Sequence, residues 1–474
     1  MEGHVEDRIL RTINRLMPQA GETYRRRSAT PLGARQVHLA TPGVNICVIE
    51  GREIDWARGF GSRSSITGGE VSENTPFQAG SISKPVFALA IAKLVQDGTL
   101  DLDKDVNDYL RTWRVPNTDG WQPCVTLRQL LSHSAATTVH GFPGYPRDGP
   151  RPTLPQILDG DYPANTSAVE VAGLPGIHFQ YSGGGTSIAQ QVMVDVLDQP
   201  FHEIMQDLVL GQVGMKNSTF DQNLSAGDMA ERVAAGHLWC GVQVSGGWHV
   251  YPEMGAAGLW TTAEDLALLG IEFMGALKGQ GSKLGLKPEV AQEMLTPQPD
   301  RQELEEGNFV GLGWFISQTG SEFNFGHDGG NHGFLARLKI LPDEGKGIAI
   351  LVNSVQGWPL LDEVERAVRE EYNWPKSRQP DQTVAMQSGA GFDGMYSSAH
   401  HKATVSAAED GLSFSFDDQN PLPMCPICET EFVARFFDSS VVFHPDEAGG
   451  MASLTVKQNG TLVELKRVAK GGDE

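Results

Sequence analysis

The chain has 474 residues, and its 40% hydrophobic and 20% charged residues are typical of a globular protein rather than a disordered or fibrous one. A chain of this length is expected to fold as two domains. The 59 acidic residues outnumber the 37 basic ones and give a formal net charge of -22 at pH 7. A surface this acidic argues against nucleic acid and anionic membranes as partners.

The sequence contains no apolar run near the ~20 residues that a membrane span needs. The N-terminus has no basic region followed by an apolar one, so we expect no signal peptide and a cytoplasmic location, unless a leader has been removed. Five cysteines are too few for a disulfide scaffold in a chain of this length. Cys425 and Cys428 form a single C-x-x-C without a second pair at zinc spacing, which favours a structural role over a metal or redox site.

The first part of the chain predicts a helix, a hairpin and a second helix. Apolar residues at helical spacing from Val5 to Leu16 predict an amphipathic first helix. Residues 43–50 and 53–61 read as two strands of an antiparallel hairpin. The apolar run after Ser81 contains no helix breaker and predicts a buried helix over 81–97.

The middle of the chain alternates short helices with long loops. Residues 125–133 predict a short helix with Thr126 as its N-cap. Residues 135–175 are rich in Gly and Pro, and we expect ordered loops that border a cleft, because loops this long in compact domains are usually functional. Residues 186–197 and 259–270 predict two more helices.

The last part of this region predicts strands at 334–341 and 346–353 and a helix at 361–371. Helices at both ends, with strands in the N-terminal and C-terminal parts, indicate an α+β fold in which helices flank an antiparallel sheet.

A polar, proline-containing stretch then marks a change of domain. We expect one domain over residues 1–375, a linker over 376–384 and a second domain over 385–474. The short alternating runs of the second domain, separated by turn residues, predict a small all-β barrel or sandwich.

Ser81 and Lys84 stand three residues apart where the buried helix is predicted to begin. Residues at this spacing share a helix face, so the Lys84 amine can reach the Ser81 hydroxyl. The start of a helix also offers unpaired N–H groups and the positive end of the dipole. A serine is a weak nucleophile without a base, and a buried lysine can supply one. Taken alone, the pair is more often an N-cap serine with an ordinary lysine in the first turn.

Two later stretches contain further candidates. Residues 181–185 read Tyr-Ser-Gly-Gly-Gly, which predicts a tight turn with an aromatic anchor and lacks the spacing of a phosphate-binding loop. Residues 327–333 read His-Asp-Gly-Gly-Asn-His-Gly, just ahead of a predicted strand. Taken alone, His327 is compatible with a surface histidine.

Together and in this order, the three stretches resemble the penicillin-recognising serine hydrolases: D-Ala-D-Ala carboxypeptidases, class C β-lactamases, D-aminopeptidases and related esterases. Ser81-x-x-Lys84 matches the first motif, Tyr181 the first position of the second, and residues 327–329 the third in its His-x-Gly form. The resemblance implies an antiparallel sheet with flanking helices and an all-helical subdomain. The C-terminal tail resembles a lipocalin-like domain found in some members.

The resemblance also implies roles. Ser81 would attack a carbonyl carbon and become acylated, while Lys84 and Tyr181 share the proton as general base and acid. A free tyrosine has a pKa of ~10, and we expect Lys84 and His327 to lower it. The backbone N–H groups of Ser81 and Gly330 would form the oxyanion hole. Water would complete the reaction, and no metal or organic cofactor is required.

Two departures from the family pattern bear on the substrate. Gly183 replaces an Asn that contacts the substrate amide, and His327 replaces a Lys that pairs with the β-lactam carboxylate. We therefore do not expect efficient β-lactamase activity. The candidate substrate-binding residues are Gly183, Asp328, Gly329 and His332.

The sequence thus predicts a serine hydrolase of amide or ester bonds in small molecules or peptides, with D-amino-acid substrates favoured. A carboxylesterase and an acyltransferase would use the same acyl-enzyme. A non-catalytic, penicillin-binding-like interaction protein is the alternative from another class. A metallohydrolase is not expected, because the chain lacks an H-E-x-x-H pattern. An oligomer is compatible with the sequence.

Overall fold

The structure is a computed structural model. It describes residues 2–17, 29–118, 120–224, 228–298, 304, 307–319, 322–374, 391–398, 401–408, 411–417, 421–426, 428–434, 439–446, 450–458 and 461–468. By its internal contacts the chain divides into two compact units. The described residues of the first are 2–17 and 29–374, and those of the second lie within 391–468. The linker expected over 376–384 lies outside the described residues.

The first unit is built on a seven-stranded antiparallel sheet in the order β2-β1-β11-β10-β9-β8-β7. Its strands are β1 (Gly43–Glu50), β2 (Glu53–Gly61), β7 (Asn308–Val310), β8 (Phe315–Thr319), β9 (Glu322–Asn331), β10 (Phe334–Leu341) and β11 (Lys346–Val352). Two short pairs lie outside it: β3 (Phe77–Gln78) with β6 (Trp260–Thr261), and β4 (Tyr145–Pro146) with β5 (His249–Val250).

Thirteen α-helices occur in the part of the chain that the structure describes. They are α1 (Glu2–Ile13), α2 (Leu32–His38), α3 (Ser83–Gln96), α4 (Leu127–Leu131), α5 (Leu154–Asp159), α6 (Gly183–Leu197), α7 (Phe201–Met205), α8 (Gly211–Val213), α9 (Asp228–Arg232), α10 (Met254–Ala257), α11 (Ala263–Leu277), α12 (Pro288–Met294) and α13 (Trp358–Glu371). None of these described helices combines the length and the apolar character that a membrane crossing requires.

Both faces of the sheet are covered, as strand β1 shows. Successive side chains of a strand point to opposite faces. Ile46 and Val48 belong to one apolar cluster with α1, α2 and α13, and Cys47 and Ile49 belong to another with α3, α6 and α11. A strand buried on both sides reads as a continuous apolar run rather than an alternating one. The α+β fold with an antiparallel sheet between helices is therefore confirmed.

The expected elements are present, with shifted boundaries. Thr126 caps α4 with its side chain accepting from the Gln129 N–H, and Thr262 caps α11 in the same way. Helix α6 begins at Gly183 rather than 186, because the Ser182 side chain caps it by accepting from the Gly185 N–H. Residues 135–175 are mainly irregular, as predicted, but contain β4 and α5.

Two details around the candidate motifs differ from the prediction. The helix expected from Ser81 begins as a 3-10 turn at Gly80–Ile82, and the α-helix starts at Ser83. Residues 327–330 precede the strand predicted at 334–341, which is β10, but they also lie in a strand of their own, β9, which pairs with β10. Strand β9 was not predicted, because the three glycines and two polar residues of its stretch 326–330 depart from the apolar, branched composition that identifies a strand.

The second unit is a closed eight-stranded antiparallel barrel, which confirms the expected lipocalin-like β domain. Its strands are β12 (Gly394–Ser397), β13 (Lys402–Ala408), β14 (Gly411–Phe416), β15 (Leu422–Pro426), β16 (Glu431–Ala434), β17 (Ser439–Pro445), β18 (Met451–Gln458) and β19 (Thr461–Arg467). Phe392, Phe432 and Phe443 meet in its core at centroid distances of 4.8 to 5.6 Å. Cys425 is buried and Cys428 is exposed.

A buried ion pair joins helix α2 to helix α13. Arg35 donates from Nε and Nη2 to the two carboxylate oxygens of Glu363 at 2.8 and 2.7 Å. The side chains are only 5% and 0% exposed. Removing one partner of such a pair leaves a buried charge uncompensated.

We expect Arg35→Met to lower the free energy of unfolding by about 3–5 kcal/mol. The double variant Arg35→Met/Glu363→Leu should recover most of this loss, because both charges are then gone. Denaturation followed by tryptophan fluorescence measures the effect in the first unit, since all nine tryptophans lie between Trp56 and Trp374. A double variant no more stable than the single one would contradict this account.

A second buried group stands at the start of α10. Glu253 is 0% exposed, and neither of its carboxyl oxygens has a hydrogen-bond partner among the described residues. Burial raises the pKa of this carboxyl to about 8, with the Tyr145 hydroxyl as a neighbour. The folded protein therefore holds Glu253 as a neutral acid at pH 7, whereas the unfolded chain holds it ionised.

This difference predicts how stability depends on pH. Because the pKa is raised on folding, the contribution of Glu253 is fully present below its ordinary pKa of about 4.5 and is lost as the pH rises through about 8. Between pH 6.5 and 8 the free energy of unfolding should fall by about 2 kcal/mol. Glu253→Gln should flatten this slope, and the exposed Glu289→Gln should leave it unchanged. Equal slopes in all three proteins would refute the assignment.

Candidate active site

Hydrogen bonds on its buried side hold the turn that carries Ser81. Gly80 has a φ of +52°, a conformation that glycine adopts without strain. The buried Ser83 hydroxyl donates to the Gly80 carbonyl at 2.6 Å and accepts from the Leu259 N–H at 2.9 Å. The turn therefore cannot move independently of the segment that leads into β6, and Ser81 remains partly accessible on its outer side.

Lys84 stands next to Ser81, as the spacing predicts. Its Nζ atom lies 3.0 Å from the Ser81 Oγ atom and donates to the Ala256 carbonyl of α10 at 2.8 Å. The residue is only 4% exposed. A buried amine held by two oxygens has a fixed position, so Lys84 is aimed at the serine by α10 as well as by its own helix. No sequence pattern indicated the role of Ala256.

Tyr181 lies over Lys84 and is surrounded by rings. The Lys84 Nζ atom is 5.0 Å from the centre of the tyrosine ring. The rings of His133, His140 and Phe315 have centroids 4.3, 4.8 and 6.2 Å from it. These contacts fix the tyrosine ring and remove part of it from water, within reach of the Ser81–Lys84 pair.

Strand β9 lies directly against the turn that carries Ser81. A Cβ atom added to Gly329 would lie 1.9 Å from the Ala79 carbonyl oxygen, and one added to Gly80 would lie 2.6 Å from the Gly330 nitrogen. Both distances are far below van der Waals contact, so only glycine permits this approach. Gly329 thus acts by the absence of a side chain, rather than as the substrate ligand that the motif suggested.

The Gly330 N–H is free to face the same turn. Antiparallel strands alternate hydrogen-bonded and non-hydrogen-bonded pairs. In the β9–β10 hairpin, Asn331 lies opposite Phe334 and the loop between them has two residues, so the backbones of this pair exchange hydrogen bonds. The next pair, Gly330 and Leu335, is therefore a non-hydrogen-bonded pair. The Gly330 N–H therefore points to the other edge of β9, which β8 covers only as far as Gly326. The two expected oxyanion donors are brought together.

His327 is buried against this cluster and is neutral. Burial and the positive charge of Lys84 lower its pKa to about 4. Its Nδ1 atom contacts the carbonyl oxygen of Asp328, so Nδ1 carries the proton and Nε2 is the bare acceptor. Nε2 is buried without a hydrogen-bond partner among the described residues. The charge expected at this position is absent above about pH 5, which corrects the idea that His327 helps to lower the Tyr181 pKa as a cation.

His133 is a site residue that the motifs did not identify. It has a φ of +56°, is 4% exposed, and accepts a hydrogen bond at Nδ1 from the Ser182 N–H at 3.3 Å. Burial and the charge of Lys84 lower its pKa well below the ordinary value. In the sequence, His133 is the last residue of a predicted short helix. No local sequence pattern predicts the left-handed backbone conformation that places its ring against Tyr181.

Two candidate substrate contacts do not face the site. The N–H of Gly183 donates to the His140 carbonyl at 2.9 Å, and a Cβ at this position would lie 3.0 Å from the Phe142 ring. The Gly183 N–H is therefore already used in a hydrogen bond within the fold. Asp328 points to the opposite sheet face from His327, where Arg337 binds both of its oxygens at 3.0 and 2.8 Å. Both predictions are corrected.

His332 remains beside the site, at the tip of the β9–β10 hairpin. Its ring stacks on His249 with centroids 4.1 Å apart, and its N–H donates to the Tyr251 hydroxyl at 2.9 Å. Partial burial and His249 lower its pKa. His332 is half-buried and so keeps a ring edge toward solvent.

The chemical capacity of the site follows from these groups. It contains a partly accessible hydroxyl bonded to a buried amine, a tyrosine in reach and two neutral histidines. Among the residues that the structure describes, no three His, Cys, Asp or Glu side chains are grouped to hold a metal ion. The arrangement suits nucleophilic attack by a serine.

A sequence profile of the family described as Beta-lactamase matches residues 26–373, well over half of the chain. Esterase EstB of Burkholderia gladioli is 31% identical over 179 residues, which are 35% of this chain and 44% of EstB. Protein flp of Staphylococcus aureus (strain MW2) is 23% identical over 319 residues, 66% of this chain and 59% of flp. The chain thus spans about half the length of these curated relatives.

Solved structures share the fold. The octameric penicillin-binding protein homologue from Pyrococcus abyssi has a TM-score of 0.62 at 19% identity, covering 92% of this chain and 98% of its own. SurE with D-Leu has a TM-score of 0.60 at 22% identity, with coverages of 92% and 97%. A class C beta-lactamase has a TM-score of 0.57 at 18% identity, with coverages of 80% and 98%. At such identities the likeness concerns the fold alone.

The profile match carries the assignment, and the Ser81–Lys84 pair agrees with it. The chain belongs to the Beta-lactamase family.

Proposed function

We propose that this protein cleaves amide or ester bonds through an acyl-enzyme on Ser81. The observation that carries the proposal is the 3.0 Å contact between the Ser81 Oγ atom and the buried Lys84 Nζ atom. A buried lysine beside a serine hydroxyl is a recognised means of activating it. No other side chain that the structure describes is recorded within hydrogen-bond distance of this hydroxyl.

In the proposed sequence, the Ser81 proton passes to the Lys84–Tyr181 pair as Oγ attacks the carbonyl carbon, one member of the pair acting as general base. The backbone N–H groups of Ser81 and Gly330 stabilise the negative oxygen of the tetrahedral intermediate. Tyr181 returns a proton to the leaving group, and water then hydrolyses the acyl-enzyme by the same steps. The ring contacts around Tyr181 support this role, because they hold the tyrosine ring beside Lys84, whose Nζ atom lies 5.0 Å from the ring centre.

The substrate class is constrained by the neutral state of His327. An imidazole with a pKa of about 4 and a bare Nε2 acceptor does not attract a carboxylate at neutral pH. We therefore propose an acyl donor without a carboxylate beside the scissile bond. D-amino-acid amides and amino-terminal peptides satisfy this condition, whereas penicillins and carboxy-terminal D-Ala-D-Ala peptides do not.

A carboxylesterase is the second candidate. It is favoured by the 31% identity to EstB, which is named an esterase. A simple ester also satisfies the condition set by His327. Acyl transfer to an acceptor other than water would use the same intermediate and is distinguished by its product.

The first experiment mixes the protein with a short-chain p-nitrophenyl ester, a D-Ala p-nitroanilide and a penicillin, and records intact mass and product release. We expect turnover of the ester or the anilide and loss of activity by roughly 10⁴-fold or more in Ser81→Ala. Lys84→Met should show a comparable loss. Lys93→Met is the matched control, since Lys93 lies on the same helix and donates to the Leu208 carbonyl at 2.7 Å.

The pattern of variants decides between hydrolase and binding protein. Activity that survives in Ser81→Ala would exclude this serine as the nucleophile. No adduct with any of the three compounds in the wild type would favour the non-catalytic interaction protein instead.

A second prediction concerns the position of His327. Because this residue is neutral, replacing it by a cation should improve reaction with a carboxylate-bearing penicillin. We expect His327→Lys to accelerate formation of the penicillin adduct by roughly tenfold relative to His327→Gln, which corresponds to about 1.4 kcal/mol. Intact-mass analysis of samples quenched at set times measures the rate of adduct formation, and thermal unfolding verifies that both variants are folded. Equal rates for the two variants would mean that charge at this position does not control the reaction.

A further inference from the structure

Helices α3 and α12 do not close against one another along their full length. Between them lies a cavity of about 170 Å³, bounded by Ala88 and Ala92 of α3 and by Val290 and Met294 of α12. Leu131 at the end of α4 and Leu312 complete the wall, which is almost entirely apolar. Neither Ser81 nor Lys84 lines this cavity, so it is separate from the candidate active site.

The cavity exists because the α3 residues that face it are small. Residues 88 and 92 are four apart and therefore share one side of the helix. Ala88 stands against Gly313, where an added Cβ atom would lie 2.6 Å from the Ala88 Cβ atom, so these two positions pack closely. Ala92 lines the space, and a larger apolar residue there would extend into it.

The volume matches that of a small ring. An engineered apolar cavity of roughly 150 Å³ in another protein stays dry and binds benzene. The space is half open to solvent, and an apolar occupant would remove its apolar wall from water. The favourable occupant is an apolar group of about six to eight heavy atoms.

The mouth of the cavity adds a charge. Glu289 and Glu293 of α12 line it, together with the apolar residues. Glu293 is compensated by an ion pair with Arg128. Glu289 is exposed, and among the described residues no cation is recorded as paired with it, so it adds an acidic group to the mouth. An ammonium group on the occupant complements this charge, and a carboxylate is repelled.

We propose that the cavity between α3 and α12 is a binding site for a small apolar molecule that carries one ammonium group. The site rests on the shape, the apolar wall and the acidic mouth, and it does not depend on the acyl-enzyme chemistry.

The test is a calorimetric titration of Ser81→Ala protein with benzylamine, benzyl alcohol and benzoate. The nucleophile-free variant keeps the result independent of the proposed catalytic function. We expect one-to-one benzylamine binding with a Kd on the order of 1 mM. Benzyl alcohol should bind roughly two- to fivefold more weakly, the effect of one exposed ion pair, and benzoate more weakly still. Glu289→Gln should bring the affinity for benzylamine down to that for benzyl alcohol.

Filling variants locate the bound molecule. Ala92→Leu should abolish benzylamine binding and raise the midpoint of thermal unfolding by about 2 °C or more, as cavity-filling substitutions do. Val290→Phe fills the space from the other helix and serves if Ala92→Leu does not fold. Val37→Leu, on the exposed side of α2, adds a methylene outside the cavity and should leave binding unchanged.

Three outcomes would overturn the proposal. They are the absence of saturable benzylamine binding, binding that persists in both filling variants, and binding of benzoate as tight as that of benzylamine.

Discussion

The close approach of strand β9 to the turn at Gly80–Ile82 determines the geometry of the whole site. The Ala79 carbonyl oxygen occupies the space that any side chain at 329 would need. Because of this contact, the N–H of Gly330 and the backbone of Ser81 lie side by side, and His327 reaches Lys84 from the same strand. The sheet therefore supplies one half of the site and helix α3 the other. A single methyl group at the contact would separate them.

The environment of the nucleophile is desolvated and contains little charge apart from Lys84. His133 and His327 are both buried, and the positive charge of Lys84 contributes to the lowered pKa of each. Two neutral rings beside one amine form a medium in which a developing oxyanion is stabilised by fixed dipoles rather than by mobile water. In the proposed function the same medium disfavours an anionic substrate group, and the proposed substrate class therefore depends on the neutral state of His327.

Much of the fold followed from local sequence patterns, and the rest depended on long-range packing. The hairpin at 43–61 and the capped helices α4 and α11 carry periodicity and cap residues that any local reading detects. The three motif positions were also identified correctly as neighbours, through their order. Strand β9 was missed because its glycines are required by a backbone over 240 residues away in sequence. His133, Ala256 and Phe315 were missed for the same reason, since each reaches the site from an element without a motif. Asp328 was assigned to the substrate site because the two faces of β9 cannot be distinguished until the strand itself is known.

The topology of the sheet has a consequence for how the protein is made. Strand β1 lies between β2 and β11, and its Val44 pairs with Val352, which the ribosome adds 308 residues later. At typical rates of 5–20 residues per second, β1 waits for about 15–60 s with one edge unpaired and both faces apolar. Contacts of such long sequence separation also make folding slow. The nascent chain is therefore most exposed to aggregation during this interval, and cells that produce it depend on chaperone capacity until β11 has emerged.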